Sequence, residues 1–408
     1  MHAPRPEGRE AGGISEAAQV RFPTRQIAPC GTAGDRPSDR RLEVVSGGGK
    51  WLVLEPYLGG SHRALIQGLR KHSGIELEVW SLPPRKWKWR MRGAAVHFAR
   101  KWREEPPTGC AGILTTSLLD GAALRGLLPP KGRTLPLVVY FHENQLEYPV
   151  RVEDERDHHY AWTNLQTALA ADRVLWNSAF NRDSFLAAVP GFLDRMPDAR
   201  PPGVVKAVRG RSRILPVPVE TGIFEEARER AGRRSGPARI AWNHRWEHDK
   251  APEVFFRALE TLRDDGVEFR LVVLGQQFQR RPRIFEEARK TLSDRIDRWG
   301  YVPSREEYAR ELARSDFVVS TARHEFQGLA VLEAAAAGAL PVVPDDLVYP
   351  EIWPRELRYP RGELGSTLRE RIENLEDWRC RSYEMISERF DWSTLEPRWR
   401  EAFDPDPW

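Results

Sequence analysis

Cysteine is scarce in this chain of 408 residues: Cys30, Cys110 and Cys380 stand far apart. They form no C-x-x-C pair and no even framework, which argues against structural disulfides and a zinc knuckle. A reducing cytoplasm is the expected setting. Long apolar runs are also missing. None approaches the ~20 residues needed to span a bilayer, so no membrane partner is expected. Residues 1 to 48 are rich in Arg, Gly, Pro and Ala and lack the apolar stretch of a secretory signal. They read as a disordered extension or as translation from a start codon set too early. A third absence is local. No acidic residue interrupts Arg85 to Arg103, which carries Arg85, Lys86, Lys88, Arg90, Arg92, Arg100, Lys101 and Arg103.

What is present fits a globular protein: 40% hydrophobic and 30% charged residues. The length exceeds one ordinary core, so two domains are expected. The net charge is only +4, so the placement of the charge matters more than its sum. Trp87, Trp89 and Trp102 are interleaved with the basic residues, and the 15 Trp in the chain predict aromatic surface in several places. Cations attract phosphates and indole faces stack on bases or sugars, so this stretch suits RNA. A basic amphipathic helix with its Trp side chains in the core is the other reading, and both stand at this point.

Strand and helix patterns alternate along the chain. Trp51 to Leu54 is an apolar run, followed by Glu55-Pro56-Tyr57-Leu58-Gly59-Gly60-Ser61-His62 and a helical pattern to Lys71. Further strand patterns lie at 76–82, 112–116, 135–141, 173–177 and 213–219. Residues 225–236 are charged and poor in apolar residues, and read as a linker. A second series then begins, with strand patterns at 239–242, 269–274 (ending at Gly275), 299–302, 315–320 and 340–343. This order predicts two α/β domains with parallel sheets, 49–224 and 237–380, followed by a terminal helical segment, 381–408, crossing back to the first. Ligands of such sheets bind at the carboxyl ends of the strands.

The polar loops at those strand ends carry the chemistry. Glu325 and Glu333 flank Gly328-Leu329, between an apolar strand and the helix-forming run Val331 to Ala337. A strand, an acidic loop, a Gly and a helix together offer a carboxylate and backbone N–H groups to a phosphorylated sugar. The bland alternative is a capping box with a surface acid. Arg245 and Lys250 follow the strand 239–242 and suit a diphosphate. His142 follows the apolar strand 135–141, where it suits a sugar hydroxyl or proton transfer. Glu143 beside it lacks a second ligand at helical spacing, so no metal is expected. Gly59-Gly60 permits close backbone approach to a pyrophosphate, although ordinary turn chemistry explains it equally.

Together these residues resemble the retaining nucleotide-sugar glycosyltransferases of the GT-B fold. Arg245-x4-Lys250, Glu325-x7-Glu333, His142 and Gly59-Gly60 all match that group's motifs. Phe326 and Gln327 depart from it, since a small residue and Gly usually follow the first glutamate. A closer resemblance is to the tRNA-queuosine alpha-mannosyltransferases. It rests on residues 55–62, on Leu82-Pro83-Pro84-Arg85-Lys86-Trp87-Lys88-Trp89-Arg90, on Phe141-His142-Glu143-Asn144-Gln145-Leu146 with Tyr148-Pro149, and on residues 242–250. The resemblance implies GDP-mannose as donor, queuosine in the tRNA anticodon as acceptor, retention of configuration and no required metal or other cofactor. It also implies roles. Arg245 and Lys250 would hold the departing GDP, and His142 and Glu325 would orient the mannose. Gly59, Gly60, Gly275, Phe326, Gln327, Gly328, Leu329 and Glu333 would contact the donor. Arg85, Lys86, Trp87, Lys88, Trp89, Arg90 and Asn144 would contact the RNA.

Two other readings remain. One is a glycosyltransferase acting on a small molecule or a lipid-linked glycan, which needs no basic, Trp-rich stretch. The other is a tRNA-binding module with a relict sugar site.

Overall fold

The computed structural model describes residues 49–147, 157–232, 234–277, 282–383 and 387–404. The expectation for residues 1 to 48, and the motif residues Tyr148 and Pro149, lie outside them. The first half contains β1 (Lys50–Glu55), β2 (Leu77–Ser81), β3 (Cys110–Thr116), β4 (Leu137–Phe141), β5 (Arg173–Trp176) and β6 (Ser212–Ile214). They form one sheet in the order β2-β1-β3-β4-β5-β6. The second half contains β7 (Ala238–Trp242), β8 (Phe269–Leu274), β9 (Ile296–Gly300), β10 (Phe317–Val319), β11 (Leu340–Pro344) and β12 (Arg358–Tyr359). Their order is β12-β11-β10-β7-β8-β9. Every pairing is parallel; Leu114 sits opposite Val138, for instance, and Ala241 opposite Val272.

Parallel strands covered on both faces read as unbroken apolar runs. Leu137–Phe141 and Leu340–Pro344 are buried at every position. The helices between the strands start on side-chain caps where the sequence provides them. Ser178 accepts from the Asn181 N–H, and Ser304 from the Glu307 N–H. Among the described residues no helix is long and apolar enough to cross a membrane.

Residues 225–236, expected as a linker, are only partly one. The helix Gly222–Ala231 runs through the first part of it, with Phe224 and Ala227 buried in the core of the second half. The charged residues mark the solvent face of that helix. The Trp residues also turn out mostly internal. Among the described residues Trp89 is the one Trp with a large exposed side chain, whereas Trp176, Trp242, Trp246 and Trp399 are fully buried.

The chain closes by returning to its first half. The helix Trp392–Ala402 sends Trp392, Leu395 and Trp399 into the core formed by Trp51, Val53, Leu65 and Leu69. Trp399 Nε1 donates to the Pro216 carbonyl at 3.2 Å, and Arg173 to the Ala402 carbonyl at 3.0 Å. Gly68 lies under the Trp392 ring so closely that a Cβ there would stand 2.0 Å from it.

Candidate active site

Loops at the carboxyl ends of both sheets meet. The Gln327 side chain makes two bonds to Val217, accepting from its N–H at 2.9 Å and donating to its carbonyl at 2.7 Å. Phe326 packs on Phe180, ring centres 5.9 Å apart. Glu351 accepts the N–H groups of Ala179 and Phe180, which open a helix of the first half. Electrostatics spans the same gap. Burial raises the Glu143 carboxyl, and Asp249 adds to this, while His62, Arg245 and Lys250 oppose it.

The second half supplies a buried charge cluster. Lys250 Nζ lies 3.1 Å from Glu325 Oε2, 3.0 Å from the His324 carbonyl and 3.3 Å from Asp249. Burial works against its ammonium charge, but Glu325 and Asp249 outweigh it and raise its pKa. Burial likewise works against the Glu325 carboxylate; Lys250 and the Gly328 N–H prevail and hold its pKa at about 2. The other Glu325 oxygen accepts the N–H groups of Phe326 and Gln327. Glu325 therefore binds its own loop and presents the helix Leu329–Ala336. That helix begins at Gly328, at φ 74°, with no side-chain cap. Its first N–H groups suit an anion.

Two cations open to a diphosphate were expected. Arg245 is half exposed and pairs with Glu247 at 3.3 Å. Lys250 is 7% exposed and all its protons have acceptors, so a diphosphate would have to exchange for one of them. Glu333, eight residues on from Glu325, has partners of its own. Glu333 accepts from Arg305 at 2.7 Å and from the Tyr308 hydroxyl at 2.9 Å.

The first half supplies two histidines. His142 follows β4 and is buried, and neither ring nitrogen has a hydrogen-bond partner among the described residues. Its ring stacks on His62, centres 3.9 Å apart and planes within 24°. His62 belongs to helix α1 (Gly60–His72), and its Nδ1 lies 3.1 Å from both oxygens of the wholly buried Glu55. Burial would lower the His62 pKa, but Glu55 raises it by more. Burial, with the charge of His62 beside it, pushes His142 well below the usual imidazole range.

Three expected contacts are corrected here. Phe326 and Gln327 are buried against the first half and brace the two halves, so their side chains do not face a donor. Asn144 is wholly buried; its amide donates to Asn181, and its oxygen accepts the Glu147 N–H. It shapes the loop after β4 and has no capacity left for RNA. Gly275 and Gly59 sit in crowded places. A Cβ on Gly275 would lie 1.9 Å from the His244 carbonyl, and one on Gly59 would lie 2.5 Å from Pro84. Gly60 and Gly328 hold positive φ, and Leu329 is half-buried beside the latter. The basic stretch folds as helix α2 (Trp87–Glu104), which buries Met91, Ala94, Phe98 and Trp102. Arg85, Lys86, Lys88 and Trp89 stay exposed, Trp89 at 69%, while Trp87 and Arg90 are half-buried. The helix therefore divides its tryptophans between the core and the surface.

A family model for the N-terminal domain of tRNA-queuosine alpha-mannosyltransferases matches residues 50–219, and one for group 1 glycosyl transferases matches residues 223–354. The tRNA-queuosine alpha-mannosyltransferase of Drosophila melanogaster is 38% identical over 318 residues, covering 76% of this chain and 82% of its own. The chain belongs to the tRNA-queuosine alpha-mannosyltransferase family. It is a glycosyltransferase of the GT-B fold. Sucrose-phosphate synthase from Thermosynechococcus elongatus superposes with a TM-score of 0.65 at 16% identity, over 87% of this chain and 98% of that one. Anabaena Alr3699/HepE in complex with UDP gives 0.60 at 14%, over 86% and 98%.

What sequence reasoning missed is that Glu55 and His62 lie beside His142. The signal was present. Glu55 ends an apolar strand, as His142 follows one, and His62 lies on the helix after β1. What was lacking was the strand order, which brings the ends of β1 and β4 together on either side of β3.

Proposed function

We propose that this enzyme transfers mannose from GDP-mannose to queuosine in the anticodon of tRNA, with retention of configuration. The observation that carries this reading is the approach of Arg245 and Lys250 to Glu143, the neighbour of His142, where the two halves meet, in a chain of this family. Arg245 and the helix N-terminus at Gly328 take the charge that develops on departing GDP. Lys250 contributes after exchanging an acceptor for a phosphate oxygen. Glu325 shapes the loop that offers the N–H groups, and Glu333 lies one to two turns deeper, where a ribose would reach it. His142 meets the sugar hydroxyls. Protein cations supply the charge a diphosphate needs, so the reaction requires no metal. Departing GDP accepts the proton of the acceptor hydroxyl as that oxygen bonds to the anomeric carbon on the face GDP leaves.

The exposed cations and indole at the start of α2 offer tRNA phosphates and a stacking face, and they lie next to the loop that Pro84 closes over Gly59. The test is incubation of the protein with queuosine-containing tRNA and a panel of nucleotide sugars, with and without chelator, followed by nucleoside mass analysis. A hexose added to queuosine from GDP-mannose alone, in chelator as well, is the expected result. Transfer only from a UDP-sugar, or only to a free glycan, would refute it.

A further inference from the structure

We propose that Glu55 and His62 are positioning residues for glycosyl transfer: a buried carboxylate–imidazole pair that sets the ring plane and the hydrogen-bonding role of His142. The inference rests on the reading of His142 as a sugar-binding group. Neither residue contacts a substrate in this account; both act through His142.

The geometry supports the assignment in three ways. Glu55 is wholly buried, and its Oε1 is already fixed by the Tyr57 N–H at 2.7 Å. The carboxylate therefore cannot swing, and its two oxygens, each 3.1 Å from Nδ1, fix the His62 ring. The His62 ring in turn lies flat on His142 at 3.9 Å. Tyr140 closes the other approach, edge-on to His142 at 4.6 Å. Held between those rings, His142 has one orientation and two buried nitrogens without a hydrogen-bond partner among the described residues.

Charge then decides what those nitrogens do. Two stacked imidazoles do not both hold a proton charge in a buried site, because like charges at this separation repel strongly. Glu55 favours the cation on His62. His142 is thereby kept neutral, with one nitrogen to donate and one to accept. A cationic His142 could only donate and would lose one of two sugar contacts. The other groups that face the pair are Tyr57, ring centres 6.0 Å from His62, and the charges of Glu143 and Arg245, which act on His62 in opposite directions. Arg245 opposes the cation and Glu143 supports it.

Two variants separate this role from mere packing. Glu55→Gln removes the charge but keeps an oxygen for Tyr57 and His62. His62→Phe keeps a flat ring on His142 but removes both the charge and the carboxylate partner. The measurements are the pH dependence of single-turnover transfer and the titration of His142 by NMR of labelled histidine, with His142→Gln assigning the signal. In both variants the His142 titration is expected to move up, because the neighbouring cation is gone. The acidic limb of the rate profile is expected to follow it. Turnover is expected to fall roughly tenfold or more, with KM for GDP-mannose within about threefold. Folded variants whose His142 titration and rate profile both match wild type would overturn the proposal. A wild-type protein that transfers no mannose to tRNA would defeat the functional reading, yet the NMR titration would still report on the pair.

Discussion

Replacing Lys250 with Met keeps the stem of the side chain and deletes its charge, which leaves Glu325 buried without its cation. Glu325 would retain only backbone N–H groups, those of Phe326 and Gln327 at 3.1 and 3.3 Å and that of Gly328. In the intact protein the carboxyl is held at about 2 instead of 4.5; burial opposes this, and Lys250 heads the groups that overcome it. That depression corresponds to about 3 kcal/mol of stability. Breaking a buried ion pair from one side costs a similar amount, about 3–5 kcal/mol. A carboxyl with a depressed pKa stabilises the fold above its unfolded value and stops doing so as pH falls toward its folded value. The deficit of Lys250→Met is therefore largest near neutral pH and shrinks between about pH 4.5 and 2. Buried His244 and His324, each held at about 4 by burial and by Lys250, move the deficit the same way as they titrate. Urea unfolding followed by Trp fluorescence is the assay, since Trp242 and Trp246 lie buried in the core of the second half. Glu325→Gln is the control; it leaves Lys250 its Asp249 partner and so costs less. A deficit below about 1 kcal/mol near pH 7, or one that grows in acid, would refute the reasoning.

Three further outcomes follow from packing and exposure. Gly68→Ala forces a methyl into the Trp392 ring and costs about 1–3 kcal/mol, and chemical denaturation should show the C-terminal helix Trp392–Ala402 released first. Trp89→Ala removes a stacking face worth about 1–3 kcal/mol of tRNA affinity without moving the melting temperature, and joint removal of Lys86 and Lys88 lowers the salt slope of binding by about one per lysine.

The sheets were legible because buried parallel strands spell themselves out as apolar runs bounded by polar loops; β4 and β8 needed nothing more. The meeting of Lys250 with Glu325 was legible because the two follow β7 and β10, neighbouring strands of one parallel sheet. Loop side chains were less legible. Asn144 and Gln327 look like ligand-binding residues in sequence, yet both spend their amides on backbone and side-chain partners that only the fold supplies. Glu55 and His62 stayed hidden for the opposite reason. Their partner is 80 residues from His62 in sequence and reaches it through a strand order that no local pattern encodes.

Trp51 and Phe403 touch edge to face, ring centres 4.9 Å apart. The second half is thus a loop of chain that leaves the first half and comes back to it. A pull applied at these two residues would load the first half alone, and the donor-side sheet would bear no tension until the helix Trp392–Ala402 had been stripped away. The contact lies at the amino end of β1, at the opposite end of the strand from Glu55. Joining the backbone at that point and opening it elsewhere would alter the order of the chain without disturbing the cleft.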